Sequence, residues 1–201
     1  LAEDALSLPV RTGKARVIGI EPASLVTKSL VREVKTDDAG CFQSALNPGL
    51  TKIAVIERHK RTGKRGIGIL EGYGLTGGAI ATTISHDSHN IVVAGDNDPD
   101  MLLAVRELAD MGGGIVSVHG GAIRRLPLPI AGLMTSADPQ EVNAVLHDML
   151  VAARAELGIP EDVEPFMTLS FMALPVIPEL KLTARGLFNV NTFSFVGVEA
   201  D

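Results

Sequence analysis

The stretch from Ile91 to Val118 restricts the possible folds more than any other part of the chain. Ile91-Val92-Val93-Ala94-Gly95 is a short β-branched run. Asp98 is a suitable N-cap, and Pro99 suits the first helical position. Beyond them Met101, Leu102, Val105, Leu108 and Ala109 recur on one helical face, with Asp100, Arg106, Glu107 and Asp110 elsewhere. Gly112-Gly113-Gly114 stops the helix, and Ile115-Val116-Ser117-Val118 begins another strand. A strand, a helix and a strand at this spacing form a βαβ-like unit. Its crossover is right-handed if the two strands run parallel in one sheet.

A second helix repeats this grammar. Asp138 caps it, Pro139 opens it, and Glu141 stands three residues after the cap, as in a capping box. Val142, Val145, Leu146, Met149, Ala153 and Leu157 form its apolar stripe, closed by Gly158 and Pro160. Thr51 to Tyr73 reads as a hairpin, and 79–84 and 91–94 read as strands. Pro127 and Pro129 place the extended 122–130 segment at a sheet edge or outside the ladder. Phe166 to Leu174 is apolar on every side, so it belongs in a core or an interface. Leu187-Phe188 and Phe193 to Val196 finish as strand-like pieces. The expected class is α+β: a mixed β-sheet with at least two packed helices, one in the βαβ-like unit. Residues 1–50, with short alternations at Arg16 to Ile20 and Ser29 to Val34, read as a lead-in to a main domain over 51–201.

Composition narrows the function classes. Asp+Glu outnumber Lys+Arg by 24 to 18, which argues against a nucleic-acid binder. With 3% aromatic residues and no Trp, base stacking on an aromatic platform is excluded. No run approaches the roughly 18 apolar residues of a membrane span. One cysteine, Cys41, precludes an internal disulfide framework and suits the reducing cytoplasm. The opening residue, Leu1 rather than Met, suggests a processed product or a piece of a longer protein.

Chemistry concentrates in Ser85-His86-Asp87-Ser88-His89-Asn90, six polar residues between two apolar strands. Imidazole and carboxylate act as metal ligands and as proton donors or acceptors near neutral pH. On a flat strand Asp87 and His89 would share a face and His86 would oppose them, so convergence needs a bend. The alternative is a polar turn bonded to its own backbone. His119 reads as a structural hydrogen-bonder, Asp96 as a turn residue and His147 as solvated. Residues 52–66 hold six basic residues against one acid, Glu57: a solvated hairpin tip or an anion contact.

Three segments carry a resemblance. Ala54 to Gly63, Ser85 to Asn90 running into Val92 to Gly95, and Pro165 to Phe171 with Leu174-Pro175-Val176-Ile177-Pro178 resemble, in order, the C-terminal domain of bacterial adenine deaminases. These are metal-dependent amidohydrolases, and the resemblance spans about residues 50 to 196. It implies a parent enzyme of purine salvage that hydrolyses adenine to hypoxanthine and ammonia. The hydroxide would be activated by a divalent metal (Mn or Fe, or Zn) in an N-terminal (β/α)₈ barrel. This chain has no His-x-His pair, and 201 residues fall short of the roughly 250 of a typical barrel. The barrel ligands are therefore expected upstream of Leu1, and this piece alone should be inactive.

His86, Asp87 and His89 are the candidate catalytic residues, as an active-site lid, and would be the candidates for any metal contact from this chain. Ser85 and Asn90 are the candidate substrate contacts. The expected partners are adenine, the N-terminal barrel and further copies in a homo-oligomer. A competing reading is a structural or oligomerisation module with no catalytic residues of its own, motivated by the apolar 166–174 segment. A third is a small-ligand-binding domain, motivated by the basic 58–65 loop.

Overall fold

The computed structural model describes residues 2–200. In chain order the strands are β1 (Lys14–Ile20), β2 (Thr27–Glu33), β3 (Leu50–Ile56), β4 (Arg65–Glu71), β5 (Gly78–Thr82), β6 (Ile91–Gly95), β7 (Gly114–His119), β8 (Ala122–Pro127), β9 (Leu180–Thr183), β10 (Gly186–Asn189) and β11 (Ser194–Val196). The helices are α1 (Asp98–Asp110), α2 (Pro139–Ala155) and α3 (Pro165–Phe171). Strands β1 to β8 form one sheet in the order β2-β1-β4-β3-β6-β5-β7-β8, and β11-β10-β9 form a second, smaller one. Only β1 and β4 pair in parallel; the other neighbours are antiparallel. The fold is α+β.

β3 shows why the large sheet is covered on both sides. Ile53 and Val55 enter a core shared with α2, α3 and the small sheet, whereas Ala54 and Ile56 enter a core shared with α1. Side chains alternate across a strand, so a strand buried at six consecutive positions must sit between two layers. The β1–β2 hairpin continues the same sheet through β4, and Leu8, Val10 and Phe42 pack beneath it. The Phe166–Leu174 segment is helical at first and lies almost wholly inside the first core, apart from Met167. α2 is more exposed than its stripe suggests: Val145 is largely solvent-facing, and Met149, Ala152 and Ala153 are its buried residues. Edge strand β8 carries Pro127 at its end, where a missing N–H costs little. No helix among the described residues is long and apolar enough to cross a membrane.

The βαβ-like unit is present with one strand inserted. β6 and β7 flank β5, and each is antiparallel to it, so they run parallel to each other. Its cap needs correction. Asn97, not Asp98, is the N-cap: its side chain accepts from the Asp100 N–H at 2.9 Å. Asp98 is thereby free to pair with Lys52 at 2.6 Å. The Lys52 side chain is 2% exposed and also donates to the Leu6 carbonyl at 3.1 Å. This pair ties α1 and the N-terminal segment to the central strand.

Asp98→Ala should lose about 3 kcal/mol in urea unfolding, because it leaves a buried ammonium without its anion. Lys52→Met combined with Asp98→Ala should recover most of that loss. A double variant no more stable than Asp98→Ala would show that the charge pairing is unimportant.

Candidate functional site

Five chain segments meet at one end of the large sheet. β3 ends there and β4 begins there, since Ile56 pairs with Arg65. Ile91 also pairs with Ile56, which brings the 85–90 loop to the same end. The β9–β10 turn is seated on β4: a Cβ on Gly66 would overlap the Thr183 carbonyl oxygen, so only glycine permits that approach. The C-terminal end of α3 completes the group, with Ser170 accepting from the His86 N–H at 3.2 Å.

The hairpin tip is organised by one carboxylate. Glu57 accepts from the N–H groups of His59 (2.6 Å), Lys60 (2.7 Å) and Thr62 (2.9 Å), and from the Thr62 hydroxyl at 2.8 Å. These bonds, those to Thr62 and Lys60 foremost, hold its pKa down to about 2. The tip then grips the 85–90 loop. Arg58 Nε donates to the His89 carbonyl at 2.6 Å, and its Nη2 donates to the Ala131 carbonyl at 2.7 Å. His59 Nε2 donates to the Ser88 carbonyl at 2.7 Å. Gly132, at φ +76°, leaves room for the Arg58 guanidinium, which a Cβ would meet at 2.8 Å.

Residues 85–90 form the bend that a flat strand could not supply. The His89 N–H closes onto the Ser85 carbonyl at 2.6 Å, and His89 adopts a left-handed φ of 45°. The His86 and His89 rings lie 5.9 Å apart edge-on. His86 also packs on Phe171 at 4.5 Å. Asp87, Ser88 and Asn90 line a cavity of about 820 Å³ whose other walls include Pro175, Val176, Arg185, Phe188, Phe193 and Phe195. Ser85 is buried behind the loop. No three His, Cys, Asp or Glu side chains among the described residues are grouped to hold a metal ion. Burial, followed by the neighbouring His86 and Arg58 charges, lowers the His89 pKa; Asp87 partly opposes this and His59 adds to it.

Three of the four buried side-chain polar atoms without a partner, among the described residues, are in this loop: Ser85 Oγ, His89 Nδ1 and Asn90 Oδ1. Each such atom ordinarily costs about 1–3 kcal/mol. The loop's backbone is thus tightly bonded while its side chains are left open. His119 lies elsewhere. It pairs with Gly78 at the opposite end of β5, and its Nδ1 donates to the Gly77 carbonyl at 2.7 Å, a structural role. Asp96 accepts from Gly77 and Gly78 in the same turn. Arg58 and His59 stood in the sequence within a basic run and a family-like segment, neither of which shows that they bond the 85–90 loop. The Phe193-x-Phe195 spacing was the available signal for the aromatic wall.

An α+β domain with a rigidly held polar loop beside an aromatic cavity is the class defined by this geometry. The family model for the adenine deaminase C-terminal domain matches residues 24–194, and the chain belongs to that family. It is 59% identical to an adenine deaminase of Nitratidesulfovibrio vulgaris over 98% of this chain and 34% of that protein. Identity is 48% to adenine deaminase 2 of Carboxydothermus hydrogenoformans, over 97% of this chain and 34% of the relative. It is 45% to an adenine deaminase of Clostridium acetobutylicum, over 98% and 34%. The chain therefore spans about a third of the length of the curated relatives it matches.

Arg58→Ala removes two charge-assisted bonds. It should lower stability by about 2 kcal/mol and speed amide exchange in 85–90 while β3 and β6 stay protected. Unchanged exchange in the loop would remove Arg58 from its anchoring role. His89 should titrate below its ordinary 6.5 in an NMR experiment. A histidine with a depressed native pKa binds its proton more readily when unfolded. Its contribution is thus intact above pH 6.5 and lost as pH falls from there toward the native value. Loop exchange should accelerate in that window, and a His89→Gln variant should show no such step.

Proposed function

We propose that this chain is the closing domain of an adenine-hydrolysing enzyme whose catalytic barrel precedes it. On this reading the 85–90 loop is the lid over the barrel mouth, and residues 1–50 lead into it. The carrying observation is the trio of buried, unpaired polar atoms at Ser85, His89 and Asn90 on a backbone fixed by Arg58 and His59. An adenine ring offers both donors and acceptors along its edge, which the cavity-lining Asp87, Ser88 and Asn90 can pair, with His89 and Ser85 behind them. Asp87 and Asn90 already face a cavity, and His89, kept neutral by its surroundings, can take or give a proton at neutral pH. The parent would carry a divalent metal, Mn, Fe or Zn, whose chemistry is to lower the pKa of a water. The donors described here do not assemble a site for it, so the metal is assigned to the barrel. Val31 on edge strand β2 and Val26 just before it are about half exposed, which supports a homo-oligomer. The free Cys41 suits a cytoplasmic setting.

The test is the full-length protein carrying His86→Ala, Asp87→Ala and His89→Ala together. Adenine turnover should fall by about 10²-fold in kcat/KM, with bound metal retained in the barrel. Unchanged turnover would remove the lid.

A further inference from the structure

The aromatic cavity beside the loop has a surface that this chain leaves uncovered. Phe193 is 78% exposed, Val176 66% and Phe195 45%, in a chain with only 6 Phe residues. Phe193 also sits at φ +51°, a left-handed conformation that costs a bulky side chain on the order of 1–2 kcal/mol. Phe188 meets Phe193 at 5.3 Å and Phe195 at 5.1 Å, both edge-on. A strained, exposed phenylalanine held by a single aromatic contact, to Phe188, is suited to burial against something else.

We infer that this groove docks onto the part of the parent polypeptide that precedes this domain, through an apolar patch rimmed by carboxylates. The inference rests on the lid reading and specifies the contact that would hold the lid in place. The curated relatives extend well beyond this domain, which accounts for 34% of their length. The N-terminal segment passes the start of β4 at this end of the sheet: the Ala5 carbonyl accepts from Arg65 Nε at 2.6 Å. Charge points the same way. Arg185 lies 4.8 Å over the Phe195 ring. Lys60, Arg61 and Lys64 are exposed on the nearby tip, and none of these four has a carboxylate partner among the described residues. A two-fold contact between copies would set this cationic end against itself, whereas an acidic rim on the preceding domain would complement it. Asp87, Ser88 and Asn90 share the cavity with the aromatic wall, so docking here closes the lid residues onto the same partner.

Phe193 replaced by the photo-cross-linker benzoylphenylalanine in the full-length protein tests this. Its exposure makes the replacement tolerable to the fold. Irradiation should give a product of single-chain mass whose cross-linked peptide lies upstream of Leu1. A product of two-chain mass would make the groove a contact between copies and overturn the inference. Absence of any cross-link would overturn it as well. The triple loop variant keeps the two readings apart: an upstream cross-link with normal turnover in that variant would leave the docking intact and remove the catalytic lid.

Discussion

The burial of β3 on both faces is the constraint from which the rest of the molecule follows. Ile53 and Val55 commit one side of the sheet to α3, α2 and the small sheet, and Ala54 and Ile56 commit the other to α1. A strand buried in this way has no freedom of register, because a shift by one residue would exchange the two cores. The tip that follows Ile56 is consequently fixed in position. Glu57, Arg58 and His59 inherit that fixity and pass it to the 85–90 loop through bonds to its backbone rather than its side chains. The Lys52–Asp98 pair anchors the other half of the same strand.

That division of labour gives the loop its chemistry. Backbone anchoring determines where Ser85, His89 and Asn90 stand without using their polar atoms. A turn selected only for its shape would bond those side chains to its own backbone, as Glu57 does for the neighbouring hairpin tip. The two loops lie side by side and solve the problem in opposite ways. The tip satisfies its carboxylate four times over; the loop leaves three buried polar atoms open. The open set is where the fold leaves hydrogen-bonding capacity unused.

Much of the fold was legible in the sequence because hydrophobic period and cap residues are local signals. The β3–β4 hairpin, the Asp138 cap with Pro139, the strands flanking α1 and the edge position of β8 follow from them. The misassigned α1 cap shows the limit of that information. Asn97 and Asp98 are both acceptable caps locally, and the choice between them is made by a lysine 46 positions earlier. The site was legible to the extent that its six polar residues stand out between strands. Its support was not: Arg58, His59 and Phe171 reach the loop through strand pairing and α3 packing, which no local pattern reveals. The β1–β2 hairpin joins the main sheet through a parallel pairing with β4, a long-range contact equally invisible to short-range reading.

Glu57 and His89, whose pKa values are both lowered, separate the tip's carboxylate from the loop's imidazole. Glu57 has its pKa held down to about 2 by backbone donors. For a carboxylate lowered in this way, the stabilisation is present above its ordinary value of 4.5 and fades only as pH falls toward 2. His89 is a base shifted down, so its contribution changes between its depressed value and 6.5. Above pH 4.5 the bonds to Glu57 are therefore a constant support. In the loop, the charge acquired by His89 would stand beside His86, Arg58 and His59. The tip's bonds to the Ser88 and His89 carbonyls hold the loop by its backbone, and the charge acquired by His89 acts against that hold.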